Sequence, residues 1–155
     1  MSGNARILVV DDDESIRTVF KINLEERGYF VETAETGEEA LAKTKAEFYN
    51  LALIDIRLPD MEGTELLIAI GKSVPEMVKL IVTGFPTLQN AVEAVNMGAD
   101  GYVLKPVDMD GLLSLIEELL ERQREEKRYS EEKVSEFIET RARELRSLSK
   151  SGLHP

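Results

Sequence analysis

The chain has 155 residues, 43% hydrophobic and 32% charged, with no cysteine and a formal charge of −11. That composition suits a folded domain with room for an appendage, and it excludes disulfides, zinc–thiolate sites and thiol catalysis. No run reaches the ~20 apolar residues of a membrane helix, and the opening MSGNAR lacks the apolar core of a signal peptide, so a cytoplasmic protein with no membrane partner is expected.

Charge is unevenly spread. Residues 1–120 carry ten Lys/Arg against twenty-two Asp/Glu, whereas residues 121–155 carry nine against eight. An acidic body repels phosphate backbones, which argues against direct nucleic-acid binding.

Apolar runs and helix-period segments alternate through the first 120 residues. Residues 6–10 (RILVV) form a continuous apolar run, the pattern of a strand buried on both faces. Ile16, Val19, Phe20 and Leu24 recur at helical spacing over 14–27, and Gly28 is the stop signal. Residues 30–34 alternate as a second strand. Thr36 caps a helix over 38–47, whose early acids suit the helix dipole. A third buried strand, 51–54 (LALI), ends at Asp55. Pro59 and Gly63 punctuate a loop before a short helix over 64–72. The fourth strand, 78–82 (VKLIV), ends at Thr83-Gly84, and a helix over 88–97 stops at Gly98. The fifth strand, 101–104 (GYVL), ends at Lys105-Pro106, and a helix starts near Asp110.

Five β–α units in succession predict a parallel sheet with helices on both faces. Open sheets of this kind bind ligands at the carboxyl ends of their strands. That rule gathers Asp11, Asp12, Asp13, Asp55, Thr83 and Lys105 at one edge, although they are far apart in the chain. Two unit charges about 4 Å apart repel by roughly 4 kcal/mol at an effective dielectric near 20, so water or a bound cation must offset the acids. Carboxylates beside a hydrated hard cation suit Mg²⁺, with Mn²⁺ as an alternative. Lys105 adds a compact positive charge, Thr83 adds a hydroxyl, and Gly84 leaves room for backbone approach. Together they can position and stabilise a transferring phosphoryl group, for which a carboxylate is an accepted nucleophile.

VVDDDESIR, ALIDIRLPDMEG, IVTG and GADGYVLKP, in that order and at that spacing, closely resemble the receiver domain of two-component response regulators, a CheY-like domain. The resemblance covers residues 4–122. It implies an α/β, flavodoxin-like (βα)5 three-layer sandwich with a parallel sheet of order 2-1-3-4-5. It implies Asp55 as the phospho-acceptor, fed by a sensor histidine kinase or a small acyl phosphate. It implies Mg²⁺ bound by Asp12 directly, by Asp11 through water or nearby, by Asp55, and by the backbone carbonyl of Arg57. Lys105 would contact the phosphoryl oxygens, Thr83 would hydrogen-bond them, and Tyr102 would change rotamer or exposure in step. The Lys105-Pro106 bond resembles the family's cis peptide. Asp13 has no slot in the pattern and reads as a loop or helix-cap carboxylate. The output would be a switch, read from the surface of the fourth helix, fifth strand and fifth helix by a partner, an attached output module or a second copy of the chain. Such a protein is no enzyme beyond Mg²⁺-dependent self-phosphorylation and autodephosphorylation.

Two features depart from the pattern. The fourth helix, TLQNAVEAVNM, has no Lys or Arg, which disfavours a dimer built on ion pairs from that helix. Phe85, two residues after Thr83, is bulky and is expected to hinder attacking water. A haloacid-dehalogenase-type phosphatase is the rival reading: Asp11-Asp12-Asp13 fits its D-x-D opening, but Asp55 is left idle and its final acidic pair is missing. A third reading is an interaction module with a degenerate site, against which the intact site residues stand.

Residues 123–155 read as a charged helical extension or linker. Val134, Ile138, Leu145 and Leu148 fall near coiled-coil spacing, so the segment offers a second route to a homodimer. Ser130 could start a new helix, or one helix could run from 110 to 149. His154, the sole histidine, reads as inert.

Overall fold

The computed structural model describes residues 5–72 and 76–152. His154, and the expected outer limits at residues 4 and 155, lie outside the described residues. Ten elements alternate along the chain: β1 (Arg6–Val10), α1 (Glu14–Glu26), β2 (Phe30–Ala34), α2 (Gly37–Ala46), β3 (Leu51–Asp55), α3 (Gly63–Ile70), β4 (Val78–Thr83), α4 (Leu88–Asn96), β5 (Gly101–Leu104) and α5 (Met109–Gly152). All strand pairs are parallel, and the sheet order is β2-β1-β3-β4-β5. This is the doubly wound architecture that the alternation of runs predicts.

Period-two geometry divides each buried strand between two layers. Ile7 and Val9 of β1 join Leu53, Leu80 and Val82 under Phe20 and Leu24 of α1 and Leu112, Ile116 and Leu120 of α5. Leu8 and Val10 turn the other way and join Ala52, Ile54 and Ile81 against Ala40, Leu66, Leu67 and Ala94 of the remaining helices. Both faces are therefore sealed, and the strand ends are left as the place for chemistry.

Side-chain oxygens start four of the helices, α5 among them through a 3.3 Å bond from the Gly111 N–H to Asp108 Oδ1. Asp13 Oδ1 accepts from the N–H groups of Ser15 (2.8 Å) and Ile16 (3.3 Å), so the third acid of the triplet caps α1. Thr36 accepts from the Glu39 N–H at 3.1 Å, and Thr87 from the Asn90 N–H at 3.0 Å. Each cap is worth about 1 kcal/mol.

Boundaries differ from expectation where pairing outruns hydropathy. Asp55 and Thr83 are the last residues of their strands, because Asp55 still pairs with Val82 and Thr83 with Leu104. The third helix starts at Gly63 rather than Thr64 and ends at Ile70.

The chain divides into two units, one through Leu120 and one from Glu121. The open choice after residue 110 resolves as a single helix, α5, of 44 residues, which Ser130 does not interrupt. Strong helix formers and the i,i+3 pairs Arg124–Glu121, Arg128–Glu125 and Arg141–Glu144 favour this. Within the second unit Val134, Phe137, Ile138, Leu145 and Leu148 are exposed. No helix among the described residues is long and apolar enough to cross a membrane.

Candidate functional site

The site forms at the carboxyl ends of β1, β3, β4 and β5. Asp11 follows the last residue of β1 and is buried, 2% exposed. Its N–H still reaches across to the Ala34 carbonyl at 3.1 Å, as if the pairing with β2 continued one residue further. Its carboxylate accepts the Asp13 N–H at 2.9 Å, which turns the chain so that Asp12 faces solvent. Asp55 ends β3, half-buried. The Arg57 N–H approaches its carboxylate at 3.4 Å. A Cβ at position 63 would lie 2.5 Å from the Asp55 carbonyl oxygen, so the loop returns to the strand only with glycine there.

One oxygen from each of Asp11, Asp12 and Asp55 lies within 4.8 Å of the others. Lys105, just after β5, reaches into this cluster. Its Nζ donates to Asp11 Oδ2 at 2.9 Å and lies 3.5 Å from Asp55 Oδ2. Its backbone is held by a 2.8 Å bond from its N–H to the Thr83 carbonyl, and a cis peptide bond joins it to Pro106.

One ammonium thus faces three carboxylates. Burial, then the charge of Asp11, pushes the Asp55 carboxyl above the usual aspartate range, and the pull of Lys105 does not cancel this. Burial alone would lower the Lys105 ammonium, but its bond to Asp11 and the charges of Asp11 and Asp55 raise it, so it stays a cation. The remaining negative charge, offered by oxygen donors alone, fits a hard divalent cation and not a soft one. This cluster could hold such an ion.

The other expected residues are placed less directly. Thr83 is fully buried, and its Oγ1 accepts the Phe85 N–H at 3.0 Å. Arg57 turns its guanidinium away from the acids and over the Phe85 ring, 4.6 Å from the centroid. Tyr102 lies on β5, half-buried against the second core layer, with its hydroxyl towards the Thr87 backbone. Burial pushes that phenol up.

Two residues at the site were not singled out by sequence reasoning. Arg17 donates from Nη1 to the Asp11 carbonyl at 2.8 Å, and Asp60 accepts two backbone N–H groups at the start of α2. Arg17 occupies the helix face next to the acids, six residues after Asp11, which was a usable signal. Nothing local marks Asp60, because its partners lie twenty-two and twenty-three residues earlier.

A family model, the response regulator receiver domain, matches residues 7–117. A solved CheY-like receiver domain protein from Methanospirillum hungatei is 52% identical and superposes with a TM-score of 0.76, covering 79% of this chain and 98% of that one. Among curated proteins, the transcriptional regulatory protein ZraR of Salmonella typhimurium is 39% identical over 123 residues, 79% of this chain and 28% of the relative. The DNA-binding transcriptional regulator NtrC of Proteus hauseri is 37% identical over 121 residues, 78% of this chain and 26% of the relative. The chain therefore spans about a quarter of the length of these curated relatives. These matches give the phosphatase reading no support, and the residue that reading leaves idle, Asp55, stands inside the acidic cluster.

Proposed function

The chain belongs to the response regulator receiver family of two-component systems, and on that premise we propose that Asp55 accepts a phosphoryl group from a sensor histidine kinase. The observation that carries this reading is the placement of Lys105 between Asp11 and Asp55, inside a cluster of three acids. The Asp55 carboxylate oxygen attacks phosphorus, the P–N bond of the phosphohistidine breaks, and the imidazole nitrogen leaves with the electron pair. Asp11, Asp12, Asp55 and the Arg57 carbonyl are the residues that would hold Mg²⁺, or Mn²⁺ in its place. When bound, the ion neutralises charge on the transferring phosphoryl oxygens.

Lys105 is already within 3.5 Å of the acceptor carboxylate, and it stabilises the charge that builds there. Thr83 Oγ1 accepts from Phe85, so its own hydrogen is available to a phosphoryl oxygen. The phosphoryl group adds about −1.5 to −2 charges and three acceptor oxygens. Thr83 and Lys105 then gain partners that the unmodified site lacks, and Tyr102 follows. The α4-β5-α5 surface responds by a population shift that stays short of the roughly 5.5 kcal/mol needed for full conversion, since few contacts change. Catalysis is confined to the protein's own phosphorylation and later hydrolysis. Phe85, with Arg57 stacked on it, shields the acyl phosphate from water, so Phe85→Ala should shorten its lifetime.

Residues 4–122 form the receiver, and residues 123–155 link it to an output module or a downstream protein. A second copy can pair through α4-β5-α5, where Leu88, Val92 and Leu104 are exposed, or through the apolar stripe of the second unit. Sedimentation with Phe137→Glu in that stripe separates the two routes. No nucleic-acid contact is assigned to the acidic first unit, and a cytoplasmic location suits a kinase-fed switch. Incubation with Mg²⁺ and acetyl phosphate, followed by peptide mapping, tests the central claim. One phosphoryl group on Asp55, absent without divalent ion, is expected, and a label on any other side chain defeats the reading.

A further inference from the structure

Two loops carry the proposed metal site, residues 11–13 after β1 and residues 56–62 after β3. Both are tied to the same place, the junction of β2 and α2 at residues 34–38, which contributes no reactive group. From the first loop, the Asp11 N–H donates to the Ala34 carbonyl at 3.1 Å. Arg17 makes a second tie: Nη1 donates to the Asp11 carbonyl at 2.8 Å, and Nη2 lies 3.2 Å from the Glu35 carboxylate. The Arg17 side chain is 12% exposed, although the Glu35 carboxylate at its far end is open to solvent.

From the second loop, Asp60 spans to the first turn of α2. Its Oδ1 accepts the Gly37 N–H at 2.8 Å, and its Oδ2 accepts the Glu38 N–H at 2.9 Å. Those two bonds hold its carboxyl below the usual aspartate range. Met61 packs beside it so closely that a Cβ at position 37 would lie 2.3 Å from its sulfur, so a larger residue there would push the thioether aside. Elsewhere the loop is held by the Arg57–Glu62 bridge, by a 3.0 Å bond from the Leu58 N–H to the Met61 carbonyl, by Arg57 on the Phe85 ring and by Ile56 and Leu58 in the core. Its attachment towards α2 is through Asp60 and Met61. Thr36 already caps α2 locally, so a distant carboxylate is not needed to start the helix.

We propose that the β2–α2 junction is the common abutment of the metal site, with Arg17 and Asp60 as positioning residues. Together they set the spacing between the acids of the first loop and the Arg57 carbonyl of the second. The proposal rests on the metal-site reading above. Sheet order makes it possible: β1 stands between β2 and β3, so neither loop can shift relative to this junction without stretching one of the two ties.

The test is Mn²⁺ binding to the full chain without any phosphoryl donor, followed by the electron paramagnetic resonance signal of the free ion. Asp60→Ala should weaken binding about 10-fold, at the low end for outer partners of metal ligands. Asp60→Asn keeps one acceptor oxygen, and Arg17→Lys keeps the charge but cannot span both acceptors; each should weaken binding less. Asp108→Ala removes a comparable side-chain bond to the Gly111 N–H at the start of α5, and should leave binding unchanged. Labelling by acetyl phosphate at saturating Mn²⁺ should return to the wild-type rate in every positioning variant. If Asp60→Ala melts below the assay temperature, Asp60→Asn and Arg17→Lys carry the test. Variants that stay folded and bind Mn²⁺ as the wild type does overturn this proposal alone. A wild-type chain that binds no Mn²⁺ overturns the site reading as well.

Discussion

The two ends of the sheet both gather charged side chains, and they differ in how well those charges are matched. At the end where the strands begin, the Arg6 guanidinium pairs with Glu32 at 2.8 Å and with Glu47, and lies over the Tyr49 ring at 5.4 Å. The Tyr49 hydroxyl donates to Glu32 at 2.7 Å, and the Arg6 N–H donates to Asn50 Oδ1 at 2.9 Å. Nearly every group there has a partner within the chain, which is how a structural network behaves. At the other end, three carboxylates share one ammonium, and Asp55 is pushed up by burial and by Asp11. An imbalance of this sign, left in place by the fold, is one that a cation from outside can relieve.

That contrast can be broken in four ways, taken from the largest effect to the smallest. Asp55→Asn should abolish acetyl phosphate labelling, while Arg6→Met, at the opposite end, should leave it within about twofold; mass spectrometry of the intact chain reads both. Lys105→Met should slow labelling by about 10²–10³-fold, the usual loss when one stabilising donor is removed.

The third effect belongs to the matched end and appears in alkali. Tyr49, 1% exposed, has its pKa pushed from 10.0 up to about 12 by burial and by its bond to Glu32. The folded chain keeps that proton where the unfolded chain releases it. Its stabilisation is therefore complete below pH 10 and is lost as the pH rises towards 12, by about 2–3 kcal/mol. Urea titrations across that window should show a shallower decline for Tyr49→Phe, which has no proton to lose.

The smallest effect has the opposite sign. Because Asp55 is raised in the folded chain, its ionisation opposes folding above the unfolded value of 3.8. Metal-free Asp55→Asn should therefore melt slightly higher than the wild type near neutral pH, read by thermal unfolding. The gain should vanish at pH values low enough to protonate the carboxylate in both states.

Much of this was legible in the chain itself. Strands of this sheet are short, mostly apolar runs, so the ends of RILVV, LALI, VKLIV and GYVL announce themselves, and the polar residues that follow are candidates for one edge. Asp13 could be read as a cap because N-terminal capping is local, settled within three residues. Reading Asp55 and Thr83 as residues beyond their strands was off by one, because hydropathy stops at the last apolar residue whereas ladder pairing continues to Asp55 and Thr83. One helix or two after residue 110 could not be decided by periodicity, since a Ser followed by two acids is equally a cap and an exposed turn of a continuing helix.

By itself, then, the sequence determined the alternation of strands and helices, the identity of the acids, hydroxyl and lysine at the strand ends, and the family they resemble. Only the tertiary structure decided that Lys105 bridges Asp11 and Asp55, that Arg57 lies on Phe85, and that Arg17 and Asp60 both attach to the β2–α2 junction. The physical reason is range. Hydropathy and capping act over a few residues and can be read along the chain. These contacts join groups eighteen to ninety-four residues apart, apart from the short reach of Arg17 to Asp11, and exist only because the strand order brings their loops to one edge.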